Sequence, residues 1–157
     1  MSVPLSVDVT IGDAITPGAV DYDFHLFLDD YSIPLVAYPL ETCMAEKIET
    51  AIRRGRENTR PRDFYDIYAL WATRRGEFDL SDLRSALEAT SDRRGSRDVI
   101  GSYREVMESV ASDEAMLGRW ESFAKDYRYV GNLSLQAACN KPYKAIVSPV
   151  LQIALLY

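Results

Sequence analysis

Cysteine is scarce in this 157-residue chain, and the two present, Cys43 and Cys139, lie far apart. They make no disulfide framework. The opening Met1-Ser2-Val3-Pro4-Leu5 lacks the basic segment and long apolar run of a secretory signal. Long hydrophobic runs are also missing. The most apolar stretch, residues 145–157, is too short to span a bilayer and contains Pro149. These absences predict a cytoplasmic protein with no membrane partner. There is no internal repeat and no low-complexity segment. An excess of positive charge is lacking as well. The net charge of -6 argues mildly against an unspecific nucleic-acid binder.

What is present is enough for a folded domain. Hydrophobic residues at 47% and charged residues at 27% are those of a globular chain, and ten tyrosines, five phenylalanines and two tryptophans supply core material. A single domain is expected at this length. The charge is uneven: Arg53, Arg54, Arg56, Arg60 and Arg62 crowd one short stretch. That cluster is either a local anion site or a solvated helix end and loop.

The period of the apolar residues changes once. Residues 5–11, Tyr22 to Leu28 and Ile33 to Tyr38 read as three strands, the last an edge strand because of Pro34. From Pro39 the spacing becomes helical through Leu40, Cys43, Met44, Ile48 and Ala51, and Gly55 ends that helix. A second helix is predicted from Pro61 to Gly76. Three more follow: one around Leu83 and Leu87, one over Val99–Val110, and one from Met116 to Tyr127 with Ser112 as N-cap. A weak sixth begins at Ser134. Beyond Asn140 the prolines at 142 and 149 interrupt the pattern. The prediction is an α+β domain, with a β portion over 1–38, a helical bundle over 39–140 and an apolar tail over 141–157.

Several polar residues do not fit a purely structural role. Lys47 falls inside the apolar stripe of its helix, so it either meets a charge partner or snorkels to water. Asp63 shares a face with Ile67 and Leu70, with Asp66 one turn later. A carboxylate in a first turn is also ordinary dipole chemistry, and Arg62 with Asp66 also fits a plain i, i+4 pair. Asp8 on the polar face of the first strand needs no special account alone. Taken together, an inward lysine, an arginine-rich loop and carboxylates on adjacent elements are parts that hold a nucleoside triphosphate with Mg²⁺.

Two segments carry a resemblance. Pro39-Leu40-Glu41-Thr42-Cys43-Met44-Ala45-Glu46-Lys47, followed by Asn58-Thr59-Arg60-Pro61-Arg62-Asp63-Phe64-Tyr65-Asp66-Ile67-Tyr68, resembles the paired "ETxxAEK" and "TRxRDxYD" helices of the AbiEii toxin family. Val7-Asp8-Val9 and Gly12-Asp13-Ala14-Ile15-Thr16-Pro17 are similar to its strand and "GDxITP" turn. The likeness is close over residues 5–75 and loose beyond.

The resemblance implies a nucleotidyltransferase fold of the DNA polymerase β type with a helical C-terminal half. It implies a toxin of type IV toxin–antitoxin and abortive-infection (phage defence) systems, some members of which transfer nucleotides to tRNA. Lys47 would contact the nucleotide phosphates, and Asp63 with Asp66 would supply the acidic element of a later catalytic motif. Arg62 and Arg60 would steady phosphate, and Asp8 would complete a Mg²⁺ site. Family members open with a Gly-Ser motif and an acidic pair that do not precede Asp8 here. The expectation is therefore an N-terminally incomplete domain, inactive by itself without that metal motif. Two readings follow: a nucleotidyltransferase acting on a nucleic-acid acceptor alongside an antitoxin, or a non-catalytic module that binds a partner or forms a homo-oligomer.

Overall fold

The computed structural model describes Pro4, Val9 and residues 11–152, the side chains of 148–152 excepted. Most of the first expected strand, and Asp8 with it, lies outside the described residues. Two strands follow, β1 (Val20–His25) and β2 (Ser32–Ala37), paired antiparallel. Seven α-helices come next among the described residues: α1 (Leu40–Arg54), α2 (Pro61–Arg74), α3 (Leu80–Arg94), α4 (Arg97–Gly101), α5 (Tyr103–Ala111), α6 (Glu114–Asp126) and α7 (Leu135–Gln152). The architecture is α+β and mostly helical. No helix among the described residues is long and apolar enough to cross a membrane.

The ribbon's register places Val20 opposite Ala37, Tyr22 opposite Leu35 and Phe24 opposite Ile33. Opposed residues share a face, so these six make one wholly apolar side. The alternate pairs, Asp21 with Val36, Asp23 with Pro34 and His25 with Ser32, form the more polar side. Among the described residues the ribbon packs almost entirely on itself rather than on the helices.

The core lies between the helices. α1 contributes Met44, Ala45, Ile48, Ala51 and Ile52, all buried, against Leu83, Ala86 and Leu87 of α3 and Phe64 and Ile67 of α2. Met107 and Val110 of α5 and Met116 and Trp120 of α6 extend it. α1 ends at Gly55, whose φ of 47° is in the left-handed region, and a Cβ there would sit 3.2 Å from Val106 of α5. Glycine serves both the turn and the close approach.

The strand expected over Tyr22 to Leu28 lies at Val20–His25, and three features of the helices also differ from the sequence expectation. The helix expected over Val99–Val110 is broken at Ser102 into α4 and α5. The N-cap of α6 is Asp113, not Ser112, with its carboxylate accepting the Met116 N–H at 2.9 Å. The interruption expected beyond Asn140 does not occur, because α7 runs through Pro142. An interior proline costs about 3 kcal/mol. Leu135, Ala138, Cys139, Tyr143, Ile146 and Val147 form one buried stripe along α7, facing α2 and α5, and this packing outweighs the local penalty.

One carboxylate joins three elements. Glu49 of α1 has no exposed side-chain surface and accepts from Arg53 Nε (2.8 Å), Arg94 Nη1 of α3 (2.7 Å) and Ser96 Oγ before α4 (2.8 Å). Burial pushes its pKa up, but the hydrogen bonds from Arg94, Ser96 and Arg53 together outweigh burial and hold it below the usual 4.5. A lowered folded-state pKa adds stability that is present above pH 4.5 and is lost as pH falls through the folded value. Glu49→Gln should therefore lose about 3 kcal/mol at pH 7, since it takes the charge partner from the partly buried Arg94 and leaves a buried site built for an anion. Denaturant melts at pH 7 and pH 3 check this: the deficit should be smaller at the second than at the first.

Candidate functional site

The segment before the ribbon is tied to α1 by a side chain inside the "ETxxAEK" stretch. The buried Thr42 hydroxyl donates to the Thr16 carbonyl (2.9 Å) and accepts the Thr16 N–H (3.0 Å). Next to it, Glu41 accepts the Asp79 N–H at 2.9 Å and so docks the start of α3. These two motif residues hold the scaffold. The next turn of α1 builds the site.

Cys43, Glu46, Lys47, Thr50 and Arg54 follow one another at helical spacing along the flank of α1, beside its core stripe. They face Arg60 and Asp63 at the start of α2 and Arg94 at the end of α3, lining a cleft of about 280 Å³. Lys47 is at the border of the core, neither central in it nor fully in water. Its Nζ donates to Asp66 Oδ2 at 2.9 Å, with the side chains 35% and 26% exposed. The ammonium thus has the charge partner that an inward lysine requires. A lysine has three donors, so two remain for a ligand.

Asp63 and Asp66 are held differently. Asp66 also faces Arg62 Nε at 3.8 Å, an i, i+4 pair whose arginine is mostly in solvent. Asp63 is half-buried and accepts from Asn58 Nδ2 at 3.2 Å. Asn58 is fully buried, and its Oδ1 accepts the Arg60 N–H at 2.8 Å. A single amide thereby orients both the Arg60 backbone and the Asp63 carboxylate.

The arginine cluster divides by role. Arg53 serves Glu49, and Arg56 bonds to Asp113 Oδ1 at the α6 cap. Arg54 and Arg60 line the cleft.

Residues that the sequence reading did not single out complete the site. Arg94 Nη2 lies 3.9 Å from Glu46 and 4.0 Å from Asp13 of the "GDxITP" turn, while its Nη1 holds Glu49. No local signal could mark Arg94, which lies 47 positions past Lys47 (94 − 47) and meets it only through packing of α3 on α1. Glu46 was visible as a neighbour of Lys47 on the same helical flank. Burial raises its pKa, Arg94 lowers it, and Asp13 and Glu49 raise it further, for a net rise above 4.5. Burial likewise raises the Cys43 thiol, which stays protonated at neutral pH. Among the described residues no three histidine, cysteine or acidic side chains converge as a metal site.

A sequence profile described as "Nucleotidyl transferase AbiEii toxin, Type IV TA system" matches residues 1–143. The chain belongs to the AbiEii family. No curated protein and no solved structure matches it. Membership of the AbiEii family makes the protein a nucleotidyltransferase-like toxin of a type IV toxin–antitoxin system, with a nucleotide substrate and an antitoxin partner implied. The match takes in both paired helices and the whole cleft between them.

Glu46 is a carboxylate whose ionised form costs stability, because burial and the neighbouring Asp13 and Glu49 outweigh Arg94. A raised folded-state pKa gives stability that is present below pH 4.5 and lost as pH rises through the folded value. Glu46→Gln should therefore be more stable than wild type at pH 7 and equal to it near pH 4. Thermal melts at the two pH values distinguish this from a carboxylate retained for its ion pair.

Proposed function

We propose that the protein transfers a nucleotidyl group from a nucleoside triphosphate to a tRNA-like nucleic-acid acceptor in the cytoplasm, as the toxin of an abortive-infection system. The observation that carries this reading is the cleft itself, in which Lys47, Arg54, Arg60 and Arg94 outnumber Glu46 and Asp63 on a chain of net charge -6. A local excess of cations on an acidic protein is suited to a polyphosphate.

In this reading Asp66 orients Lys47, whose remaining donors bind the phosphates. Arg60 and the more solvent-exposed Arg62 steady them. As the acceptor oxygen bonds to the α-phosphorus and the bond to pyrophosphate breaks, these cations neutralise the charge that builds on the leaving group. Asp63 is held by an amide rather than a cation, so it is the carboxylate placed to receive the acceptor's proton. The β-ribbon would be part of the polymerase β-like sheet.

Such transfer draws on Mg²⁺, which takes oxygen ligands. The described residues do not make that site, because Asp66 is engaged by Lys47 and Arg62, and Asp63 by Asn58. Asp8 lies outside the described residues, and no step is assigned to the metal. Calorimetric titration with GTP, ATP, CTP and UTP in Mg²⁺ tests the reading. At least one nucleotide should bind, and Lys47→Ala should weaken it about tenfold or more, the worth of one charge-assisted hydrogen bond. Absence of binding by every nucleotide, or indifference to the substitution, would sink the proposal.

A second reading, association through the ribbon, is favoured by its apolar face and by the turn beyond it, where Phe27 is 100% and Leu28 89% exposed. Apolar patches beyond a few hundred Å² on a soluble surface mark contact sites. The occupant would be a second copy, since a two-fold axis lets the same apolar face of two chains cover each other. Light scattering across a concentration series should show dimers that Phe24→Ser with Phe27→Ser abolishes. A wild-type monomer at every concentration rejects this reading.

A further inference from the structure

At the C-terminal end of α6 a group of aromatic rings stands at the surface. Phe123 is buried beneath, with Tyr127 at 5.0 Å between centroids, and Tyr129 lies 5.4 Å from Tyr127 and 5.1 Å from Tyr65 of α2. Tyr127 and Tyr129 remain 47% and 55% exposed. The Tyr65 hydroxyl donates to the Tyr129 carbonyl at 3.4 Å, which pins the two elements together. Covering Phe123 explains one ring. It does not explain why Tyr127 and Tyr129 present open surface side by side, with the partly buried Tyr65 next to them.

The charges around these rings are mostly positive. Arg128, between Tyr127 and Tyr129, is exposed, as is Lys125 one turn before, with Asp126 as the opposing charge. Arg62 links this patch to the cleft. On α2 it is roughly 60° round the axis from Tyr65 and roughly 40° from Asp66 on the other side. Side chains three and four apart on a helix are neighbours. The patch therefore begins where the Lys47–Asp66–Arg62 group ends.

We infer that Tyr65, Tyr127 and Tyr129, with Arg62, Arg128 and Lys125, form a platform on which unpaired bases of a single-stranded nucleic acid stack, leading its end toward the cleft. Aromatic faces accept any base, and the flanking cations bind the phosphates between bases. This inference rests on the reading of the acceptor as nucleic acid and assigns where it is held.

The test is fluorescence anisotropy of a labelled single-stranded RNA of about 12 nucleotides, titrated with the full chain at low salt. Three forms are compared: wild type, Tyr127→Phe with Tyr129→Phe, and Tyr127→Leu with Tyr129→Leu. The phenylalanine pair should bind as wild type does, because the ring faces remain. The leucine pair keeps the cover over Phe123 but loses stacking, and its affinity should fall about tenfold or more. Tyr127→Leu alone gives the same sign, at smaller size, if circular dichroism shows the double variant to be unfolded.

Equal RNA binding by the leucine variants and wild type overturns the platform, and so does failure of the wild type to bind RNA. Nucleotide titrations on the same samples keep the two proposals separate. Triphosphate binding by the wild type with no RNA effect of the leucine pair rejects the platform alone, whereas a wild type that binds no triphosphate rejects the cleft reading.

Discussion

A carboxylate with no exposed surface must be surrounded by donors, and Glu49 satisfies that demand with Arg53 of its own helix and by drawing Arg94 and Ser96 onto α1. The same Arg94 that closes this buried network turns its second nitrogen toward Glu46 and Asp13 in the cleft. Stability and site are therefore coupled through one guanidinium. The planar fork of an arginine allows this, because its donors diverge in fixed directions.

α1 is the element on which everything else is assembled. Its core stripe packs against α2 and α3, and Thr42 and Glu41 hold the "GDxITP" turn and the α3 start. Its flank supplies Cys43, Glu46, Lys47, Thr50 and Arg54 to the cleft. The family signature is thus a mixture. Glu41, Thr42 and Asn58 hold backbone, while Glu46, Lys47 and Asp63 face the cleft. Asn58 matters most among the former, since one buried amide sets both the loop and the carboxylate.

Glu46 and Glu49 lie one helical turn apart and are perturbed in opposite directions. Glu49 is surrounded by donors and remains ionised at a profit to stability. Glu46 is partly buried with a single cation at 3.9 Å, which does not offset desolvation.

Much of this was legible from the chain. Helical spacing located α1, α2, α3 and α6, the change of period near Pro39 matched the step from β2 to α1, and the paired motifs led to the family. These are local properties, encoded within a few turns. What only the tertiary structure decided depends on residues distant in sequence. The run of α7 through Pro142 follows from its buried stripe against α2 and α5, which outweighs a local break signal. The Lys47–Asp66 bond joins two helices across 19 positions, and Arg94 enters the cleft from 47 positions past Lys47. Periodicity records which way a residue points on its own helix, but only packing sets what stands opposite.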